Sequence, residues 1–378
     1  MSTTAFSTAV TQARDLLRWR SPLRTELWAA RLTAALEPGE VDPFLRALAD
    51  DGSAEARLTL AALAAVNQGA ETADVAPDDG AGAAHHVAVD AVPDDIDEVA
   101  VGAGWPGDED LASQAAGSGA AYVVAGRGVA ETLPGWVRRM GRVVCDGAWY
   151  GKADPYGEQA LAVLSFHYEN GKEPHLLVVG IDQVNGGLAV DALVEEVKFL
   201  DDLDLGRAEP GQVAGRVLDA FESSDRVMGA VVADTLPAVR PLALSRARAV
   251  PGITRQVPED TLARFDALPE LPELLELPGA REAFEKLAEF VGDRPLWWSP
   301  GRVSQFLTSW LPREAILSDA AVEAMPEVVR AWSRFCGGHP AVLRQIDEDA
   351  PRLPALMADD SLAGLGKRIA QSRLDDTR

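Results

Sequence analysis

Cysteine is nearly absent from this chain: Cys145 and Cys336 are the only two in 378 residues. They stand about half the chain apart, so neither a disulfide framework nor a paired metal motif can be built from them, and a reducing cytoplasm is the expected compartment. No window approaches the ~20 apolar residues of a membrane span, and the N-terminus lacks the apolar core of a signal peptide, so neither anchor nor export is expected. Positive charge is also in deficit, with 35 Lys and Arg against 59 Asp and Glu, a formal net charge of −24. Such a field repels phosphate backbones and anionic lipid, which excludes naked nucleic acid and membrane as bulk electrostatic partners. The P-loop, zincin, kinase and nucleophile-elbow patterns are missing too, and no organic cofactor is expected.

Apolar residues make up 47% of the chain, enough for two or three domains with ordinary cores. Residues 1–67 read as a helical bundle. Leu16, Leu17, Leu23, Leu27, Trp28 and Leu32 recur at helical spacing, and Ser21 followed by Pro22 marks a cap that divides two helices. Arg14, Arg18, Arg20 and Arg24 make this region locally basic, a candidate docking patch for an acidic protein partner or for the acidic part of the same chain. That acidic part follows at once: from Leu58 to Gly126 there is no Lys or Arg, and twelve Asp and Glu occur. Residues 68–119 have few large apolar side chains and read as an acidic low-complexity linker.

Residues 120–265 change to β character. "AAYVVAG" and "GRVVCDGAWYG" are short strand-like runs, and "LPGWVRRMG" between them reads as a helical turn led by Pro134. Two Asn-Gly pairs, at 170–171 and 185–186, each separate strand-like runs, which predicts two-residue turns and a three-strand antiparallel meander. Register then places Phe166 opposite His175 and Asp182 opposite Ala189. Leu164, Phe166, Tyr168, Leu177, Val179, Ile181, Val190, Ala192 and Val194 share a core-facing side. His175 opens the middle strand and Asp182 closes it seven residues later, about 23 Å away, while His167 shares the Asp182 side but lies near the first turn, at the opposite end of the sheet. A His–Asp pair within the meander is thereby excluded. Asp154, Glu158, Asp182 and Asp191 remain as an all-oxygen set at one end of the sheet, suited to Mg, Mn or Ca. Its bland counterpart is four carboxylates capping turns.

Residues 266–378 read as a helical, Trp-rich domain. Ser299 caps and Pro300 opens a helix that Pro312 should end, while Pro326 should open another that Gly337 stops. The two should pack on each other. Trp297, Trp298, Trp310 and Trp332 belong to its core or, alternatively, wall a ligand or partner groove.

Together "LPGWVRRMG", "DPYGEQALAVLSFHYENGKEPHLLVVGIDQVNGGLAVDA" and "WWSPGRVSQFLTSWLPRE" are similar to uncharacterised proteins of GC-rich actinobacteria, a likeness that implies provenance and no catalytic residue. The expected fold is α+β: a helical N-terminal bundle, a central antiparallel sheet backed by helices, and a helical C-terminal domain. The expected function is a cytoplasmic protein-interaction or regulatory module without catalytic activity. The alternatives are a metal-dependent hydrolase or phosphotransfer enzyme using the Asp/Glu set, and a small-ligand-binding protein.

Overall fold

The computed structural model describes residues 3–68, 121–122, 128–255, 265–292 and 294–375. The acidic linker lies almost wholly outside them. The fold is α+β, with an antiparallel five-stranded sheet in the middle of the chain and helices toward both ends. Among the described residues no helix is long and apolar enough to cross a membrane. Two compact units are present, one comprising Met1–Arg142 with Arg240–Ser245, the other Val143–Val239 with Arg246–Arg378. The sheet and the C-terminal helices thus fall in one unit.

In the first unit, α1 (Thr3–Trp19), α2 (Pro22–Ala35) and α3 (Pro38–Asp51) pack around α4 (Ala54–Val66). Every α4 residue from Leu58 to Val66 is buried, as expected of a helix that is apolar all round. The break at Ser21 is as the sequence predicts: its Oγ accepts from the Arg24 backbone N–H at 3.2 Å and Pro22 follows. Pro134 likewise leads a tight 3₁₀ turn at Val137–Arg139. Ala121 and Tyr122, by contrast, are helical rather than extended. The rest of that strand-like run lies outside the described residues.

In the second unit, β1 (Val143–Lys152), β2 (Gln159–Tyr168), β3 (His175–Asp182), β4 (Leu188–Glu195) and β5 (Gly206–Ala208) form a sheet of order β4-β3-β2-β1-β5. Phe166 pairs with His175, Leu164 with Leu177 and Val179 with Ala192, the predicted register. Neither turn is the predicted two-residue type. At the first, Gly171 N–H bonds Tyr168 O and Tyr168 N–H bonds Lys172 O; Glu173, at φ 50°, then supplies one extra residue that restores the register. At the second, positive φ falls on Gly186 and Gly187 rather than on Asn185. Asp182 therefore pairs with Leu188, and a bulge between Gly180 and Ile181 lets Asp191 face Gly180. That one-residue shift moves Ala189, not Val190, onto the core side, where Ala189 is fully buried.

Helix α5 (Pro210–Arg226) covers the predicted core face, packing on β1, β2 and β4. The opposite face is covered as well: Val163, Leu176 and Val178 are buried beneath Phe199, Leu200, Leu203 and Leu205. Helix α6 (Thr235–Arg248) then carries the chain onward. The C-terminal helices enclose their own core. Here α7 (Ala280–Val291) packs on α8 (Asp319–Phe335), while α9 (Pro300–Gln305) packs on α10 (Pro340–Asp349), so the helix opened by Pro300 and the helix that carries Pro326 have different main partners. Pro326 lies inside α8 rather than at its start; Ser318 is the cap. Nor does Pro312 end its helix. A π turn at Phe306–Trp310 absorbs the missing donor, and helix resumes over Leu311–Glu314.

Candidate functional site

The four carboxylates singled out from the sequence all lie toward one end of the sheet, yet three of them have local partners. Asp154 opens an Asp-Pro-Tyr-Gly turn: its carboxylate accepts from Tyr156 N–H at 2.7 Å and Gln159 N–H at 2.6 Å. Asp182 accepts from the backbone of Val184 at 2.9 Å and Asn185 at 3.2 Å, and from Asn185 Nδ2 at 2.7 Å. Asp191 accepts from the Thr235 hydroxyl. Glu158 contributes its carbonyl to Gln183 N–H. Among the described residues no three His, Cys, Asp or Glu side chains are placed to hold one metal ion. The turn-capping role predicts that Asp182→Ala lowers stability by about 1 kcal/mol in urea unfolding, equally with and without Mg. A loss that appears only with Mg present would restore the metal reading.

Among the described residues His167 and His175 make no contact with Asp182 or Asp191, but a His–Asp pair exists elsewhere. His167 Nδ1 lies 2.7 Å from Oδ2 of Asp146, which sits where β1 bulges between Cys145 and Gly147. Sequence reasoning compared the histidines only with acids of the meander and so missed it. With Cys145 next to Asp146, the trio has the composition of a thiol-based catalytic set. Two facts oppose that. Cys145 pairs with Phe166 and Val144 with His167, so thiol and imidazole project to opposite faces, and burial pushes the Cys145 thiol up, away from the nucleophilic thiolate. His175 is buried, with Nδ1 2.8 Å from Glu173 O and Nε2 3.2 Å from Arg246 Nε, and it stacks on Phe166. It holds the core together.

Of the four tryptophans, Trp332 is fully buried beside Phe284, and Trp298 donates its indole N–H to Ser333 Oγ at 2.7 Å. Trp310 packs on Phe306 and Phe290. Trp332 and Trp298 are core, and Trp310, half-buried, packs against it. Trp297 differs, because its ring lies under Arg302, it lines a crevice, and its buried Nε1 has no hydrogen-bond partner among the described residues. In the basic patch, Arg14 pairs with Glu55 at 3.1 Å and Arg18 with Asp15 at 3.6 Å. Arg24 lies over the ring of Trp19, which is 60% exposed, and Arg20 is held at φ 55°.

A cleft of about 720 Å³ lies between β1, β5, the start of α5 and Leu296, and Tyr150 lines it. Arg216 of α5 lies over that ring at 4.4 Å, Gln183 Nε2 donates to Tyr150 Oη at 3.2 Å, and Arg294 Nη1 donates to Gln183 O at 2.8 Å. Arg207, over the Trp149 ring at 5.5 Å, lines the cleft together with Asp146 and Glu209. Beside it, sharing Tyr150, Arg216 and Leu296, is a crevice of about 10 Å³ lined also by Lys152, Arg294 and Trp297. That volume admits one water-sized atom.

No family model matches the chain, and no curated protein and no solved structure matches it. The site therefore stands on its geometry alone. None of its cations was singled out from the sequence, because they come from β1, α5 and the segment before α9. One signal was available: Arg216 sits between Val213, Ala214 and Val217, Leu218, an arginine set within a buried helical face.

Proposed function

We propose that this protein is a non-catalytic binding module that takes a small molecule in the Tyr150 cleft. The observation that carries this reading is the cleft itself: it has the size of a small-molecule site, it is walled by regular elements, and its polar groups converge on one aromatic ring. Against catalysis stand the turn-capping carboxylates and the separation of Cys145 from His167 across the sheet. Ala208 lines the cleft, so Ala208→Trp would fill it from the β5 side. A compound screen by thermal shift should find ligands that stabilise the wild type and not Ala208→Trp. Stabilisation of both proteins alike would place binding elsewhere.

A second reading concerns the first unit. The exposed Trp19, stacked with Arg24 and flanked by Arg18 and Arg20, supports docking of an acidic protein partner. It is compatible with a regulatory role in which the small molecule and the protein partner are sensed by different units.

A further inference from the structure

We infer that the occupant of the Tyr150 cleft is a zwitterion, an apolar amino acid or a short peptide, whose carboxylate meets Arg207 and whose ammonium meets Glu209. This rests on the reading of the cleft as a small-molecule site and names the chemistry of its ligand.

Arg207 and Glu209 both line the cleft, both are exposed, and they stand two apart in the extended run that ends β5 and leads into α5. Residues two apart in extended chain project to the same side with Cα atoms about 6.6 Å apart, within reach of an Arg–Glu pair. Yet the two do not pair, and neither has an ion-pair partner among the described residues. At the same spacing a little upstream, Lys198 and Glu196 do close, to 2.6 Å. Trp149 accounts for the difference: Arg207 pairs with it in the β1–β5 ladder and lies over its ring at 5.5 Å, which engages the guanidinium in place of Glu209. Glu209 is not used locally either, because it takes the N-cap position of α5 without a side-chain capping bond.

The wider lining has the same balance. The chain carries 59 Asp and Glu against 35 Lys and Arg, yet the described charged residues of the cleft are two of each sign, Arg207 and Arg216 with Asp146 and Glu209. An anion alone would face both carboxylates, and a cation alone both guanidinium groups. A ligand that carries both charges meets neither repulsion. Asp146 is engaged by His167 Nδ1 at 2.7 Å and Arg216 lies over Tyr150, so Arg207 and Glu209 are the pair assigned to the two ends of the ligand, each through a charge-assisted hydrogen bond. Tyr150, Pro210, Val213 and Leu296 add apolar lining, which suits an aliphatic side chain between those ends.

The test uses four compounds on the full chain that differ only in their end groups: leucine, leucinamide, N-acetyl-leucine and N-acetyl-leucinamide, read by thermal shift and titration calorimetry. Leucine should bind roughly tenfold or more tighter than either singly charged derivative, and the neutral one should bind weakest. Arg207→Gln should erase the preference for leucine over leucinamide and keep that over N-acetyl-leucine; Glu209→Gln should do the reverse. Both side chains are exposed, so the unfolding midpoints without ligand should stay at the wild-type value. Leucylleucine beside leucine separates a peptide from a free amino acid, and preference for either supports the inference. If a singly charged or neutral derivative binds as tightly as leucine, and Ala208→Trp abolishes its binding, the cleft is a ligand site and the zwitterion inference is overturned. Equal weakening of all four compounds by both substitutions overturns it too. If neither leucine nor leucylleucine binds with millimolar affinity or better, the zwitterion inference falls, while a broader screen that also finds nothing sensitive to Ala208→Trp removes the cleft reading with it.

Discussion

Gly157→Ala is expected to destabilise the protein by about 3 kcal/mol or more in urea unfolding, among the largest single losses available outside the core. Gly157 closes the Asp154 turn at φ 69°, and an added Cβ would lie 2.3 Å from Leu296 O and 2.8 Å from Leu296 C. Backbone cannot yield as a flexible side chain can. The turn is also tied to the next segment by Trp298 N–H donating to Tyr156 O at 2.8 Å, so relief on one side strains the other. Because Leu296 also lines the Tyr150 cleft, the variant should lose ligand binding together with stability. Gly171→Ala is the control: it too has positive φ, at 73°, but nothing lies within 4 Å of the added carbon. It should cost only the conformational strain, roughly 1 kcal/mol. Equal losses at the two positions would show that close approach at Leu296 does not decide the effect.

Trp332→Ala is expected to cost about 3–5 kcal/mol, the range for deleting a fully buried large aromatic. The ring is wholly buried, edge-on to Phe284 at 5.8 Å and against Phe335 at 5.4 Å, and it anchors α8 in the core of the C-terminal helices. Trp332→Phe should be far milder. The indole Nε1 is buried without a hydrogen-bond partner among the described residues, so the smaller ring removes an unsatisfied donor while keeping most of the contact. Denaturant midpoints of the two variants separate the terms. If Phe proved as damaging as Ala, shape at this position would outweigh the unsatisfied donor.

How much of this was legible in the sequence depends on the range of the interaction. Period-two alternation from Leu164 to Val194 is local, and it yields the pairing of Phe166 with His175 and of Val179 with Ala192. The turns between those strands escaped because their geometry turns on single residues: Glu173 adopts positive φ with no sequence signal for it, and Asp182 reorganises its turn by accepting two backbone N–H groups. Prolines misled in the same way. Pro312 and Pro326 read as helix boundaries, yet a π turn and an upstream cap at Ser318 carry the helices past them. The His167–Asp146 contact depends on a bulge in β1, and the cleft depends on bringing Tyr150, Arg207, Arg216 and Leu296 together from separate stretches of chain. No periodicity encodes such a meeting. Only the unusual setting of Arg216 within an apolar helical face hints at it.

Whether the Tyr150 cleft takes a small molecule is tested most directly by a compound screen read as thermal shift on the wild type and on Ala208→Trp, whose added ring fills the cleft from the β5 side. The expected result is a set of compounds that raise the unfolding midpoint of the wild type and leave that of Ala208→Trp unmoved; compounds that stabilise both proteins equally would contradict it.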